Sequence, residues 1–119
     1  GGRRVAHLHP PLLAVGQDRC INVIPAAEFR SEAERLLAAV RAGEIPMSRQ
    51  RAFAHSATAF QLDKQGRVTI GEELRNYAKL EPGSRVVVSG NIDRIEVWST
   101  AVYEHIAAES HGAMAGGQE

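Results

Sequence analysis

Residues 62–71 read LDKQGRVTIG, and the reading of this stretch decides the rest of the chain. Asp63-Lys64-Gln65-Gly66 is a turn sequence. Gly66 can take positive φ, and the Asp63 carboxylate can accept hydrogen bonds from the backbone ahead of it. Arg67-Val68-Thr69-Ile70, rich in β-branched residues, reads as a strand leaving a hairpin tip. Residues 58–62 (TAFQL) read as the strand entering it, with Thr58, Phe60 and Leu62 on one side and Ala59 and Gln61 on the other. Residues 72–78 read as a short helix. Lys64 and Arg67 would then stand on or beside the tip of a rigid hairpin, available to an anionic partner.

Working upstream, residues 12–15 (LLAV) and 20–24 (CINVI) are two short apolar runs separated by Gly16-Gln17-Asp18, the pattern of a hairpin. Pro25 precedes a helix over 26–42, in which Phe29, Ala33, Leu36, Leu37 and Val40 recur at helical spacing; the charges lie mostly off that stripe, as on a solvated face. Gly43 is a plausible stop, and Ser48 can cap a second short helix to about Ser56. Arg49 and Arg51 oppose the dipole of that helix, so either it starts elsewhere or they have another partner. Downstream, Pro82-Gly83 marks a turn, residues 85–89 and 94–98 read as strands, and Ser99 caps a last helix to about Glu109.

Two segments repeat. Residues 12–29 (LLAVGQDRCINVIPAAEF) and 86–103 (VVVSGNIDRIEVWSTAVY) each run from an apolar strand to Gly, then Asp-Arg, then Ile-x-Val, then a helix carrying Ala and an aromatic residue. Gly16 matches Gly90, Ile21 and Val23 match Ile95 and Val97, and Phe29 matches Tyr103. The hairpin tip lies about 20 residues upstream of the second copy; the same distance upstream of Leu12 falls before residue 1. A first tip is therefore expected to be missing from the given chain, or reduced to Gly2-Arg3-Arg4-Val5.

The chain has 119 residues, 44% of them hydrophobic, with few aromatics and a formal net charge of +0. The length suits one domain or two small tandem halves. A neutral chain lacks the global basic excess of many nucleic-acid binders, so any such contact must come from a local patch or its repetition. Cys20 is the single cysteine; an intramolecular disulfide is excluded, and its place in a strand makes it a buried structural residue rather than a reactive thiol. His7 and His9 form an H-x-H, which two ligands alone do not turn into a metal site, and neither metal nor cofactor is expected. Phosphate-loop, nucleophile-elbow and zinc spacings are absent, which argues against an enzyme.

With DKQGRVTI, LRNYA and RIEVW in this order, the chain resembles the MraZ transcriptional regulators of the AbrB-like swapped-hairpin class. That family carries a D-x-x-x-R signature in each of two tandem halves, and residues 63–67 fit the second. Gly71-Glu72 departs from the Pro that many relatives have there. The resemblance implies an α+β, mainly β fold of tandem swapped-hairpin β-barrel halves with peripheral helices. It divides the chain into a lead-in (1–11), an incomplete first half (12–57), a second half (58–109) and a disordered tail (110–119). It also implies a cytoplasmic, nucleoid-associated, ring-like homo-oligomer, commonly octameric. Such a ring would bind double-stranded DNA at promoter direct repeats of division and cell-wall genes, without a membrane partner. Carried over by position, Lys64 and Arg67 are DNA-contacting, Arg75 is a nearby candidate, and Asp63 and Gly66 pin the turn; Arg67 can equally serve as a structural partner of Asp63, and Lys64 as a solvated turn residue. The competing reading is an oligomeric protein-interaction module, a degenerate relative or an AbrB-like antitoxin, without specific DNA binding.

Overall fold

The computed structural model describes the backbone of residues 10–118 and the side chains of residues 10–110; His7, His9 and residues 2–5 lie outside the described residues. Two β-hairpins meet in one sheet. β1 (Leu12–Val15) pairs antiparallel with β2 (Ile21–Ile24), and β4 (Val86–Asn91) with β5 (Arg94–Ser99). β3 (Thr58–Ala59) adds to the outer side of β1, giving the order β3-β1-β2-β5-β4. The helices are α1 (Ala26–Arg41), α2 (Met47–Ser56), α3 (Glu72–Tyr77) and α4 (Thr100–Gln118).

The join between the hairpins explains the sequence repeat. β2 and β5 pair antiparallel with Ile21 opposite Val97, Asn22 opposite Glu96 and Val23 opposite Ile95. The two Ile-x-Val segments thus cross-pair about a local twofold through the Asn22–Glu96 pair. Their helices follow the same rule: Phe29 packs in the cluster around Ile24, and Tyr103 meets Trp98 edge-on at 5.8 Å. On the outer strands the correspondence slips by one residue from the sequence alignment, because Leu13 faces Val23 while Val88 faces Val97.

Alternation along the strands sorts the side chains. One sheet face carries Leu13, Val15, Ile21, Val23, Ile95, Val97, Val86 and Val88. Its first-half side is capped by Leu74, Ala78 and Leu80, with Phe60, Val68 and Ile70 at the margin. The residues that cover the first hairpin therefore come from the middle of the chain. The opposite face buries Ala14 and Ile24 under Phe53, Phe29, Ala33 and Leu36, with the Phe29 and Phe53 rings stacked at 4.8 Å. A well-shielded pair of this kind supplies roughly 0.5–1.5 kcal/mol beyond area burial. Arg94 ties α1 to β5 by a 3.1 Å ion pair to Glu32 while also bonding Asp93 at 2.9 Å.

Several expectations are corrected. The helices hold more residues than the strands, so the fold is α+β without being mainly β, and the sheet is open among the described residues. The strand expected over 58–62 is reduced to Thr58–Ala59, and residues 67–70 form no ladder; a single antiparallel bridge joins Leu62 to Val68. Ser48 does not cap α2, which begins one residue earlier after Pro46 with no side-chain cap. Ser99 does cap α4, its hydroxyl accepting from the Val102 amide at 3.1 Å. α4 then continues to Gln118 in place of the expected disordered tail, since the Ala residues sustain a helix that each Gly weakens by only about 1 kcal/mol.

Candidate nucleic-acid interface

The tip is held by one carboxylate. Asp63 Oδ1 accepts from the backbone amides of Gln65 and Arg67, both at 2.8 Å, and Oδ2 accepts from Arg67 Nε at 3.0 Å. The backbone closes the same loop: Gly66 N donates to the Asp63 carbonyl at 3.0 Å, and Asp63 N donates to the Arg67 carbonyl at 2.8 Å. Gly66 takes φ +81°, a conformation that glycine adopts without steric cost. These amides, that of Arg67 foremost, hold the Asp63 carboxyl below its ordinary value. Hydrogen bonds, rather than burial, thus define a rigid tip on an exposed surface.

That lock determines how the basic groups are displayed. Arg67 spends its Nε on Asp63, yet its side chain stays 73% exposed, leaving the guanidinium end facing solvent. The ion pair and an outward-facing role are therefore compatible. Lys64 sits at the exposed apex, without an ion pair among the described residues. Arg75 differs: its Nη1 donates to the Ile70 carbonyl at 2.9 Å, fastening the end of the tip segment to α3. Leu74, on the buried side of α3, anchors that helix to the sheet.

A second well-built region is the turn that the sequence places at Gly16-Gln17-Asp18. The turn after β1 places Asp18 and Arg19 at φ 57° and 71°, the left-handed region. Tyr77 stabilises it by donating its hydroxyl to the Gly16 carbonyl, and the Arg19 guanidinium lies 4.9 Å from the centre of the Tyr77 ring. Gly16 has no room for a side chain, because a Cβ would fall 2.5 Å from Cys20 Sγ and 2.7 Å from Asn22 Oδ1. Cys20 is fully buried, and burial pushes its thiol up to about 12, which suits the structural role expected of it. Gly16, which follows the first strand of its repeat, was the signal for this turn; the Tyr77 contact, 61 residues away in sequence, carried none.

Among the described residues no cluster of acidic, His or Cys side chains could hold a metal, and no helix is long and apolar enough to cross a membrane.

The family described as "MraZ protein, putative antitoxin-like" matches residues 53–116, a span that contains the tip, α3 and the second hairpin. Curated relatives named Transcriptional regulator MraZ extend the likeness over most of the chain. The protein of Salinispora arenicola is 38% identical over 104 residues, covering 87% of this chain and 72% of the relative. That of Bifidobacterium longum is 38% identical over 98 residues, covering 82% and 64%. That of Kocuria rhizophila is 32% identical over 108 residues, covering 91% and 74%. With the locked D-x-x-x-R turn inside the matched span, the chain belongs to the MraZ family.

Proposed function

We propose that this chain is a DNA-binding transcriptional regulator in which the tip around residues 63–67 meets the duplex. The observation that carries the proposal is the display of Arg67: a guanidinium oriented by Asp63 through Nε while its side chain stays 73% exposed, with no other partner among the described residues. Lys64 would contact phosphate as a point charge, and Arg67 would contact phosphate or guanine in forked geometry. Arg75 would act indirectly, by holding the tip segment on α3.

One tip on a neutral chain is a weak binder, so the reading includes assembly. Residues 12–57 and 58–109 would be the tandem halves of a swapped-hairpin architecture, repeated in a ring of copies, commonly eight. Two features support assembly. Among the described residues the backbone of 60–70 is largely without ladder partners, and Val86, Val88 and Ile95 form an exposed aliphatic patch. Repetition would convert individually weak tips into avidity over promoter direct repeats, in the cytoplasm and on the nucleoid, ahead of division and cell-wall genes. The same aliphatic patch favours the second reading, an interaction module without specific DNA binding.

A gel-shift titration of the full chain on direct-repeat promoter DNA, beside a scrambled duplex, separates the two readings. The regulator reading expects a discrete complex on the repeats at lower protein concentration. Equal shifts on both duplexes, or none, would overturn it.

A further inference from the structure

The two edges of the sheet end differently. β3 closes one edge with two residues, whereas β4 closes the other with six, Val86–Asn91. The β4–β5 hairpin turns through two residues, Ile92 and Asp93, between the paired Asn91 and Arg94. A loop of that length closes on a hydrogen-bonded pair. By alternation, Asn91, Ser89 and Val87 then direct their N–H and C=O groups to β5, while Gly90, Val88 and Val86 direct theirs outward. Among the described residues these outward groups have no hydrogen-bond partner. An edge of this length is normally blunted by Lys, Pro, a bulge or an inward charge, but residues 86–91 read VVVSGN and keep an unbroken register with β5.

The side chains select the strand that fits this edge. On one face Val86 and Val88 are 45% and 64% exposed, and a Cβ at Gly90 would meet nothing within 4 Å. On the other face charge is divided along the strand. Exposed Arg85, without an ion pair among the described residues, stands before its start. Glu96, also without one, lies near its far end, accepting from Asn91 Nδ2 at 3.1 Å and from Trp98 Nε1 at 3.3 Å. A parallel copy of β4 would set like ends together. An antiparallel copy sets Arg85 of one chain opposite Asn91 of the other, beside Glu96. Engaging all three outward residues places Val88 opposite its own copy and Val86 opposite Gly90.

We propose that the β4 edge receives a second copy of this chain, its own β4 pairing antiparallel about a twofold axis at Val88 so that two sheets become one. The pairing rests on the assembly reading above and names one of its contacts; it does not depend on DNA binding.

The test is sedimentation of the full chain over a concentration series. The parent associates. Val88→Lys sets like charges against each other at the axis and raises the dissociation constant about tenfold or more; Arg85→Glu raises it too, by facing Glu96 with like charge. Thermal melts below the associating concentration show that both variants fold, as their exposed positions allow. Val88→Cys, in a chain whose Cys20 is buried, cross-links to its copy on mild oxidation, because residues opposed in a hydrogen-bonded pair stand about 5.5 Å apart at Cα, within disulfide reach. Ile92→Cys, more exposed but away from the axis, cross-links far more slowly. A parent that stays monomeric at every concentration, the result expected were the edge filled by another segment of the same chain, overturns both this contact and the assembly. Association left unchanged by Val88→Lys and Arg85→Glu, or cross-linking as fast at Ile92→Cys as at Val88→Cys, overturns this contact alone.

Discussion

The two halves of the sheet are near-copies, yet one is covered and the other is bare. Leu13 is 2% exposed, while Val88, which takes the equivalent place across the local twofold, is 64% exposed. Ile21 is fully buried; its counterpart Ile95 is 47% exposed. Strand register and residue type are similar on the two sides, so neither explains the difference. What differs is the cover. Leu74, Ala78 and Leu80 lie over the first hairpin, and among the described residues nothing equivalent lies over the second. Pairing makes the sheet, but burial is decided by the hairpin-and-helix unit that folds across it.

The largest expected effect breaks this contrast at its covered side. Leu13→Ala should destabilise the chain by about 2–5 kcal/mol, the range for emptying a closed aliphatic site, whereas Val88→Ala should cost well under about 1 kcal/mol if its face is free in solution. Paired chemical denaturation measures both. Equal losses would mean that Val88 is buried in the working assembly, and a dependence of the Val88→Ala loss on protein concentration would locate that cover between copies.

A smaller effect sharpens the difference between the two turns. Gly16→Ala places a Cβ against Cys20 Sγ and Asn22 Oδ1 and should cost about 1–3 kcal/mol through overpacking. Gly90→Ala, with nothing within 4 Å of the added carbon, should be nearly silent in thermal melts.

The smallest effect concerns the tip. Because the folded Asp63 carboxyl lies below its ordinary value of 3.8, its contribution is present above that value and is lost as pH falls through the lower folded one. The tip should therefore loosen in acid before the sheet does, with the Gln65 and Arg67 amides losing hydrogen-exchange protection first. Asp63→Asn should show that loosened state at neutral pH.

Much of the architecture was legible in the sequence because its signals are local. Short strand-like runs placed β1, β2, β4 and β5 within a residue or two and helical spacing placed α1; the repeat marked the two Ile-x-Val segments, but not that they pair with each other. The misreadings share a cause. Residues 58–62 and 67–70 have strand chemistry, but strands need partners, and the chain supplies only β1 for Thr58–Ala59 and one bridge at Leu62–Val68. For the site, Asp63 and Gly66 were readable as turn formers and Arg67 as the carboxylate's partner. The hold of Tyr77 on the Gly16 carbonyl joins segments 61 residues apart, which no local pattern records.

If the tip carries the contact with DNA, Lys64 and Arg67 set the salt dependence of affinity. Fluorescence anisotropy on direct-repeat DNA, from low to physiological salt, should give a steep fall in affinity for the parent chain. Lys64→Ala should flatten the slope by about one unit for each tip engaged and weaken all sequences alike, while Arg67→Ala should weaken binding further and reduce the preference for the repeats. Parent, Lys64→Ala and Arg67→Ala curves that superimpose across the whole salt series would contradict the account.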